Sequence, residues 1–159
     1  MNTLITAAQV IRLAFAPDDC LPPDAVAESD IAAAEARYLI PVIGQRLHQR
    51  LLKGASADCT FVADHLAAPL ALFTRALIQP RLDLRTGRSG STVPKSDTAT
   101  PAGDSARRAL RAALLAEARA LLRQAVTRIE ELPATYPEYD PARNILKRCS
   151  LDGKLVQTL

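Results

Sequence analysis

The side chains that carry most protein chemistry are thinly spread in this sequence. There are two histidines, His48 and His65, and three cysteines, Cys20, Cys59 and Cys149. A zinc site needs such ligands at short, recurring spacings. His48 and His65 fall in separate helical stretches, and Cys59 and His65, six residues apart, point to different sides of a helix. Adjacent carboxylates occur at Asp18-Asp19 and Glu130-Glu131. Both pairs sit at the ends of predicted elements, where turn and cap chemistry accounts for them. Gly87-Arg88-Ser89-Gly90-Ser91 is rich in glycine and serine but lacks phosphate-loop spacing, and no dinucleotide fingerprint or nucleophile elbow is present. No nucleophile–base pair, metal set or cofactor box emerges. An active site needs polar groups of defined roles converging in one pocket, so the sequence predicts a non-enzymatic chain with no metal or cofactor.

The elements that would position any site are helical. The stretch 31–52, IAAAEARYLIPVIGQRLHQRLL, organises the chain. Ile31, Ala34 and Tyr38 share one helical face, and Ile43, Leu47 and Leu51 share another beyond it, with Glu35, Arg37, Arg46 and Arg50 on the remaining sides. Pro41 removes one backbone bond and clashes with the carbonyl four residues back, so a kink or break is expected there, with Pro41 opening the second piece. Gly44 has no side chain and is read as a point of close helix approach. Tyr38, Pro41, Gly44 and Leu47 together form a packing motif.

At these residues a resemblance enters. Asp30-Ile31, Ala34-Glu35, Arg37-Tyr38-Leu39-Ile40-Pro41, Ile43-Gly44 and Leu47 resemble the opening of a family of small helical proteins in Bacteroidetes phages and prophages. That family is similar to the head–tail connector (head-completion) proteins of tailed phages. The order of later parts is also similar: GSTVPKSDTATPAG at 90–103, a long Ala/Leu/Arg helix, then Tyr136-Pro137-Glu138-Tyr139. His48 departs from the pattern, standing where an aromatic, often Tyr, is expected. The resemblance implies a structural subunit that forms a ring at the virion neck and is assembled in the bacterial host cytoplasm. Its implied partners are other copies of itself, portal and neighbouring neck or tail proteins, and packaged DNA passing through the channel. It also implies subunit contacts through the loop at 86–100 and the start of the following helix. The interface candidates there are Arg85, Arg88, Val93, Lys95, Arg107 and Arg111.

Composition agrees with a helical domain. Of 159 residues 48% are hydrophobic but only 4% aromatic, so alanine and leucine, both strong helix formers, must do the packing. The longest apolar runs, such as 66–73, fall short of a membrane span, and no signal peptide is convincing. The three cysteines read as buried or half-buried reduced thiols. Charge is unevenly placed: residues 1–74 hold 5 Lys/Arg and 8 Asp/Glu, whereas residues 75–159 hold 15 and 9. An acidic front and a basic back could meet between neighbouring copies, or the basic half could meet nucleic acid. The alternative to a connector is therefore a small helical DNA-binding or regulatory protein. Against it, no helix-turn-helix pair is evident and aromatics for stacking are scarce.

Along the chain, about five helices are expected in an all-α bundle, several of them kinked by proline. The first covers 4–15, capped by Thr6, with Val10, Leu13 and Ala14 inward. A Pro-rich loop follows, and the next helix starts at Asp24 or Ser29. Gly54 caps the end of the second piece. A third helical region spans 59–85, with kinks at Pro69 and Pro80. Residues 86–100 break all periodicity and read as a long loop. A long helix opens at Thr100-Pro101 and runs to Leu132, with Leu110, Leu114, Ala118, Leu121, Ala125, Ile129 and Leu132 inward and Arg107, Arg111, Arg119 and Arg123 turned away. The domain is expected to span 1–140. Residues 141–159 read as an extended tail, with a weak hairpin signal at Asp152-Gly153.

Overall fold

The first helix shows how closely local chemistry sets an end. Thr6 Oγ1 accepts from the Gln9 N–H at 3.3 Å while the Gln9 side chain accepts from the Thr6 N–H at 2.8 Å, a reciprocal capping box. In the computed structural model, which describes residues 2–17, 19, 21, 24–83, 85–87, 90–92 and 102–147, helix α1 then runs Ala7–Ala14. It buries Val10 and Ala14, whereas Leu13, expected inward, is largely exposed. The second rod starts at Glu28, with Asp30 accepting from the Ala27 N–H at 2.9 Å. It comprises α2 (Glu28–Ala34), a wide π turn (Glu35–Leu39) and α3 (Ile40–Ile43).

The rod does not break at Pro41. Ile40 N–H bonds the Glu35 carbonyl five residues back, and this widened turn lets the chain pass the proline ring while remaining helical. The break comes at Gly44, with φ +85° and ψ 150°, a conformation that L-residues rarely adopt. A Cβ there would meet nothing within 4 Å. Gly44 therefore serves the turn itself, not a close helix approach. Helix α4 (Gln45–Leu52) follows and ends at Gly54 with φ +71°, the expected left-handed cap.

The fourth rod repeats the device. Helix α5 (Ser56–Phe61), a π turn (Val62–Leu66) and α6 (Ala67–Asp83) run together as 28 residues. The wide turn again lies just before a proline, Pro69, and Pro80 sits inside the helix. As far as Ile78, α6 is buried on nearly every side, through Leu70, Ala71, Leu72, Phe73, Ala76 and Ile78. By length and composition this rod could cross a membrane, but 67% of its most apolar window is buried inside the bundle, as suits a central core helix. Helices α1, α2 and α7 (Asp104–Glu131) all pack on it. Tyr38 stacks on Phe73 at 4.4 Å between ring centroids, and Leu47 is fully buried, so these two members of the packing motif lie in the core.

The architecture is all-α with five helical rods. One small exception interrupts the expected loop: β1 (Arg85–Gly87) and β2 (Gly90–Thr92) pair antiparallel, Arg85 opposite Thr92 and Gly87 opposite Gly90. The loop reading missed this because its β signal is only three residues per strand. The long helix, expected to open at Thr100-Pro101, starts instead at Asp104 with Gly103 at its N-cap. The expected contacts at Arg88, Val93 and Lys95, the Asp152-Gly153 hairpin, Cys20 and Cys149 lie outside the described residues. Cys59 is exposed, contrary to expectation.

The segment expected to begin an extended tail is folded as far as Lys147. Two short 3₁₀ turns, Pro141–Arg143 and Ile145–Lys147, pack back on the end of α7. Asn144 is fully buried and donates to Tyr139 Oη at 2.8 Å; that hydroxyl donates to Glu130 at 2.8 Å, and Lys147 Nζ donates to Glu130 at 2.6 Å.

Candidate functional site

The buried stripe of α7 is Leu114, Ala118, Leu122, Ala125, Val126 and Ile129. Leu110 and Leu132, expected on it, are exposed, and Leu122 takes the place of Leu121. Traced toward the N-terminus at steps of three and four, the buried face continues through Arg111 and Arg107. These two arginines, predicted to turn away from the stripe, are its extension. The core stops one turn short of them: from Asp104 to Ala113 every residue except Arg107 is exposed. The helix thus projects an arm of nearly three turns, with arginine where the inward face would otherwise carry leucine.

Under this arm lies a groove of about 190 Å³, lined by Gln79, Pro80, Asp83, Arg107, Arg108 and Arg111. A second hollow, about 220 Å³, shares Gln79 and Asp83 with it and is walled by Phe15, Asp19, Leu21, Arg75 and Leu82. A polar ladder joins the two along α6. Asp19 lies 3.9 Å from Arg75, Arg75 donates to Gln79 at 3.4 Å, Gln79 donates to Asp83 at 2.9 Å, and Asp83 lies 3.9 Å from Arg107. Arg107 is also 3.9 Å from Asp104, an i,i+3 pair. Arg108 donates to the Asp104 carbonyl at 3.3 Å. Among the described residues no carboxylate lies within ion-pair distance of Arg108 or Arg111. Of the interface candidates, then, Arg107 and Arg111 meet in one groove. Arg85 lies in β1, its side chain outside the description.

Opposite charge gathers on another flank of the same end. Of the six carboxylates in residues 13–36, a stretch with no lysine or arginine, Asp19, Asp24, Glu28 and Asp30 belong to this flank, whereas Glu35 is buried against His48. Arg81 of α6 holds part of this stretch, bonding Asp30 at 2.7 and 3.1 Å and the Ala25 carbonyl at 3.0 Å. Burial pushes the Asp30 carboxyl up, but hydrogen bonds from Arg81 and the Ala27 N–H, with the Arg81 charge, bring it below the usual carboxylate range. Asp24 and Glu28 are exposed. Arg81 and Asp83, two residues and about 200° apart around the helix, reach to different flanks: one to the acidic stretch, the other to the α7 arm.

Two polar assemblies that sequence reasoning missed brace the bundle elsewhere. Glu35, assigned to a solvent side, is buried and bonds His48 Nε2 at 3.0 Å and the Leu4 N–H at 2.7 Å. Arg50 bonds buried Asp58 through two nitrogens at 3.2 Å, the Thr135 carbonyl at 2.6 Å and Glu138 at 2.9 Å. Those hydrogen bonds, to Glu138 first and then to Asp58, push the Arg50 guanidinium further up. No local spacing signals either assembly, since the partners lie between 8 and 88 residues apart. Among the described residues no three His, Cys, Asp or Glu side chains converge as a metal site would need.

Residues 31–148 match a family described as a family of unknown function, DUF6712. The chain belongs to DUF6712. The DUF6712 match covers the π-turn rod, the central helix, the α7 arm and the folded start of the C-terminal segment. No curated protein and no solved structure matches the chain.

Proposed function

We propose that this DUF6712 chain is a non-enzymatic assembly subunit: a ring-forming head–tail connector (head-completion) protein of a tailed phage or prophage, bridging portal and tail. The observation that carries the reading is the α7 arm, a well-formed helix that leaves the core and holds arginines over an open groove. A monomer gains nothing in stability from such an overhang, because the arm buries almost no apolar surface. A subunit that packs against neighbours does. The resemblance of residues 30–47 to phage connector-like proteins supplies the biological setting, in which a ring admits packaged DNA. Rings require heterologous contacts, where one face of a subunit meets a different face of the next and the rotation closes. The unlike flanks at the α6–α7 end meet that requirement.

The test is solution mass by sedimentation over a wide concentration range, with electron microscopy of the heaviest fraction. Closed rings are expected. A monomer at every concentration, alone and mixed with a portal assembly, would remove the connector reading. The same arginines favour the DNA-binding alternative, which requires the isolated monomer to bind duplex DNA with an affinity that falls steeply as salt rises.

A further inference from the structure

We infer that the groove under the α7 arm receives an acidic peptide segment of a partner protein, one that brackets an apolar side chain with carboxylates. The inference rests on the assembly reading for the kind of partner and adds the chemistry that the arm recognises. Arg108 and Arg111 are neighbours on the helix surface, three residues apart, and Arg111 follows Arg107 by four. Like charges at such spacings repel. Asp83 and Asp104, each at 3.9 Å, relieve Arg107, whereas Arg108 and Arg111 meet no carboxylate among the described residues. The first turns of α7 add the positive end of its dipole. Incoming carboxylates thus find two guanidinium groups, whose planar forks suit bidentate contact. The walls decide what accompanies the charge. The surface of the groove is almost wholly carbon, supplied by Pro80 and the alkyl stems of Gln79 and the arginines. Leu110, three residues after Arg107, adds an exposed apolar side chain to the arm. At about 190 Å³ the groove is smaller than the roughly 300–1,000 Å³ of small-molecule sites, so it admits a side chain and not a whole ligand. A DNA duplex is too broad to follow the arginines into this slot. A short acidic segment can also set its carboxylates on Arg108 and Arg111 while keeping clear of Asp83 and Asp104, which a backbone charged at every residue cannot. Recognition of acidic motifs by clustered arginines has this chemistry.

The test is selection from a displayed library of random peptides on the full chain, followed by fluorescence anisotropy of the enriched consensus made as a labelled synthetic peptide. Arg108 and Arg111 are both exposed, and circular dichroism checks that R108E/R111E keeps its helix content. The enriched peptides are expected to carry carboxylates on both sides of a leucine, isoleucine or phenylalanine. R108E/R111E is expected to weaken the consensus peptide at least tenfold. Changing the peptide's acids to amides, or its apolar residue to serine, is expected to do the same. No enrichment, a consensus without acids, or one that R108E/R111E binds equally well overturns the assignment. Duplex DNA binding that R108E/R111E loses, with no peptide enriched, reassigns the groove to nucleic acid. Ring formation that R108E/R111E loses, with no peptide enriched, reassigns it to a second copy of the chain. Assembly is read separately by sedimentation. Rings without an acidic consensus remove the docking assignment and leave the connector reading standing; a bound consensus peptide without rings does the reverse.

Discussion

His48 and Glu35, thirteen residues apart, meet at 3.0 Å inside the bundle, and the second oxygen of the same carboxylate receives the Leu4 N–H at 2.7 Å. One buried carboxylate thus ties α4, the π turn of the second rod and the segment before α1. Glu35 opens the π turn and, four residues after the buried Ile31, lies on the inward face of α2. Removing one partner of a buried polar pair strands the other, a larger loss than replacing both with apolar groups. Glu35→Ala and His48→Ala are each expected to cost about 3 kcal/mol in denaturant unfolding. The double variant Glu35→Leu with His48→Leu is expected to cost less than either. Hydrogen exchange at the Leu4 amide should rise sharply in Glu35→Ala and stay slow in the wild type.

Arg50, two residues further along α4, is a second clamp. Asp58 is 2% exposed and depends on this guanidinium, while Arg50 itself is partly open to solvent. Arg50→Ala is expected to cost about 2–3 kcal/mol, chiefly from the unpaired Asp58 carboxylate. Arg50→Lys should rescue little of this, because one ammonium cannot reproduce a planar fork serving Asp58, Glu138 and the Thr135 carbonyl together. Loosening should appear first at residues 135–147, read as faster hydrogen exchange.

The Tyr139–Glu130–Lys147 cluster gives the C-terminal segment a pH window. Lys147's hydrogen bond, against burial and with help from the Tyr139 hydroxyl and the Lys147 charge, holds the Glu130 carboxyl below its usual range. A lowered carboxyl contributes stability above its unfolded value of about 4.3, lost as pH falls through the folded value. Burial pushes the Tyr139 hydroxyl up to about 12. A raised hydroxyl contributes stability below its unfolded value of about 10, lost as pH climbs towards 12. Stability measured against pH should therefore fall at both limbs. Tyr139→Phe should flatten the alkaline limb and cost about 1–2 kcal/mol at neutral pH, since Asn144 loses its acceptor.

Gly44 isolates a purely conformational effect. A Cβ at this position has open space, yet the backbone lies at φ +85°. Gly44→Ala is expected to cost roughly 1–3 kcal/mol without a steric clash. Pro41→Ala, by contrast, should leave the helix path unchanged, because the chain already passes residue 41 without breaking. Thermal unfolding of the two variants side by side checks the contrast.

The sequence by itself determined the helical class, the Thr6 cap, the Gly54 cap, and the burial of Tyr38, Leu47 and most of the Leu114–Ile129 stripe. These are local or periodic properties: capping chemistry acts over three residues, and an apolar stripe repeats every three to four. Tertiary structure decided the rest. Pro41 and Pro69 predict kinks on local energetics, and the chain meets each ring with a wide π turn just ahead of it, while Glu35 goes into the core where His48 pairs it. The inward face of α7 continues into Arg107 and Arg111 because the core beneath ends before the helix does, and where a core ends depends on how neighbouring rods overlap. The partners of Glu35, Arg50 and Asp83 are distant in sequence. Their charges found one another only when the fold brought separate helices within hydrogen-bond reach.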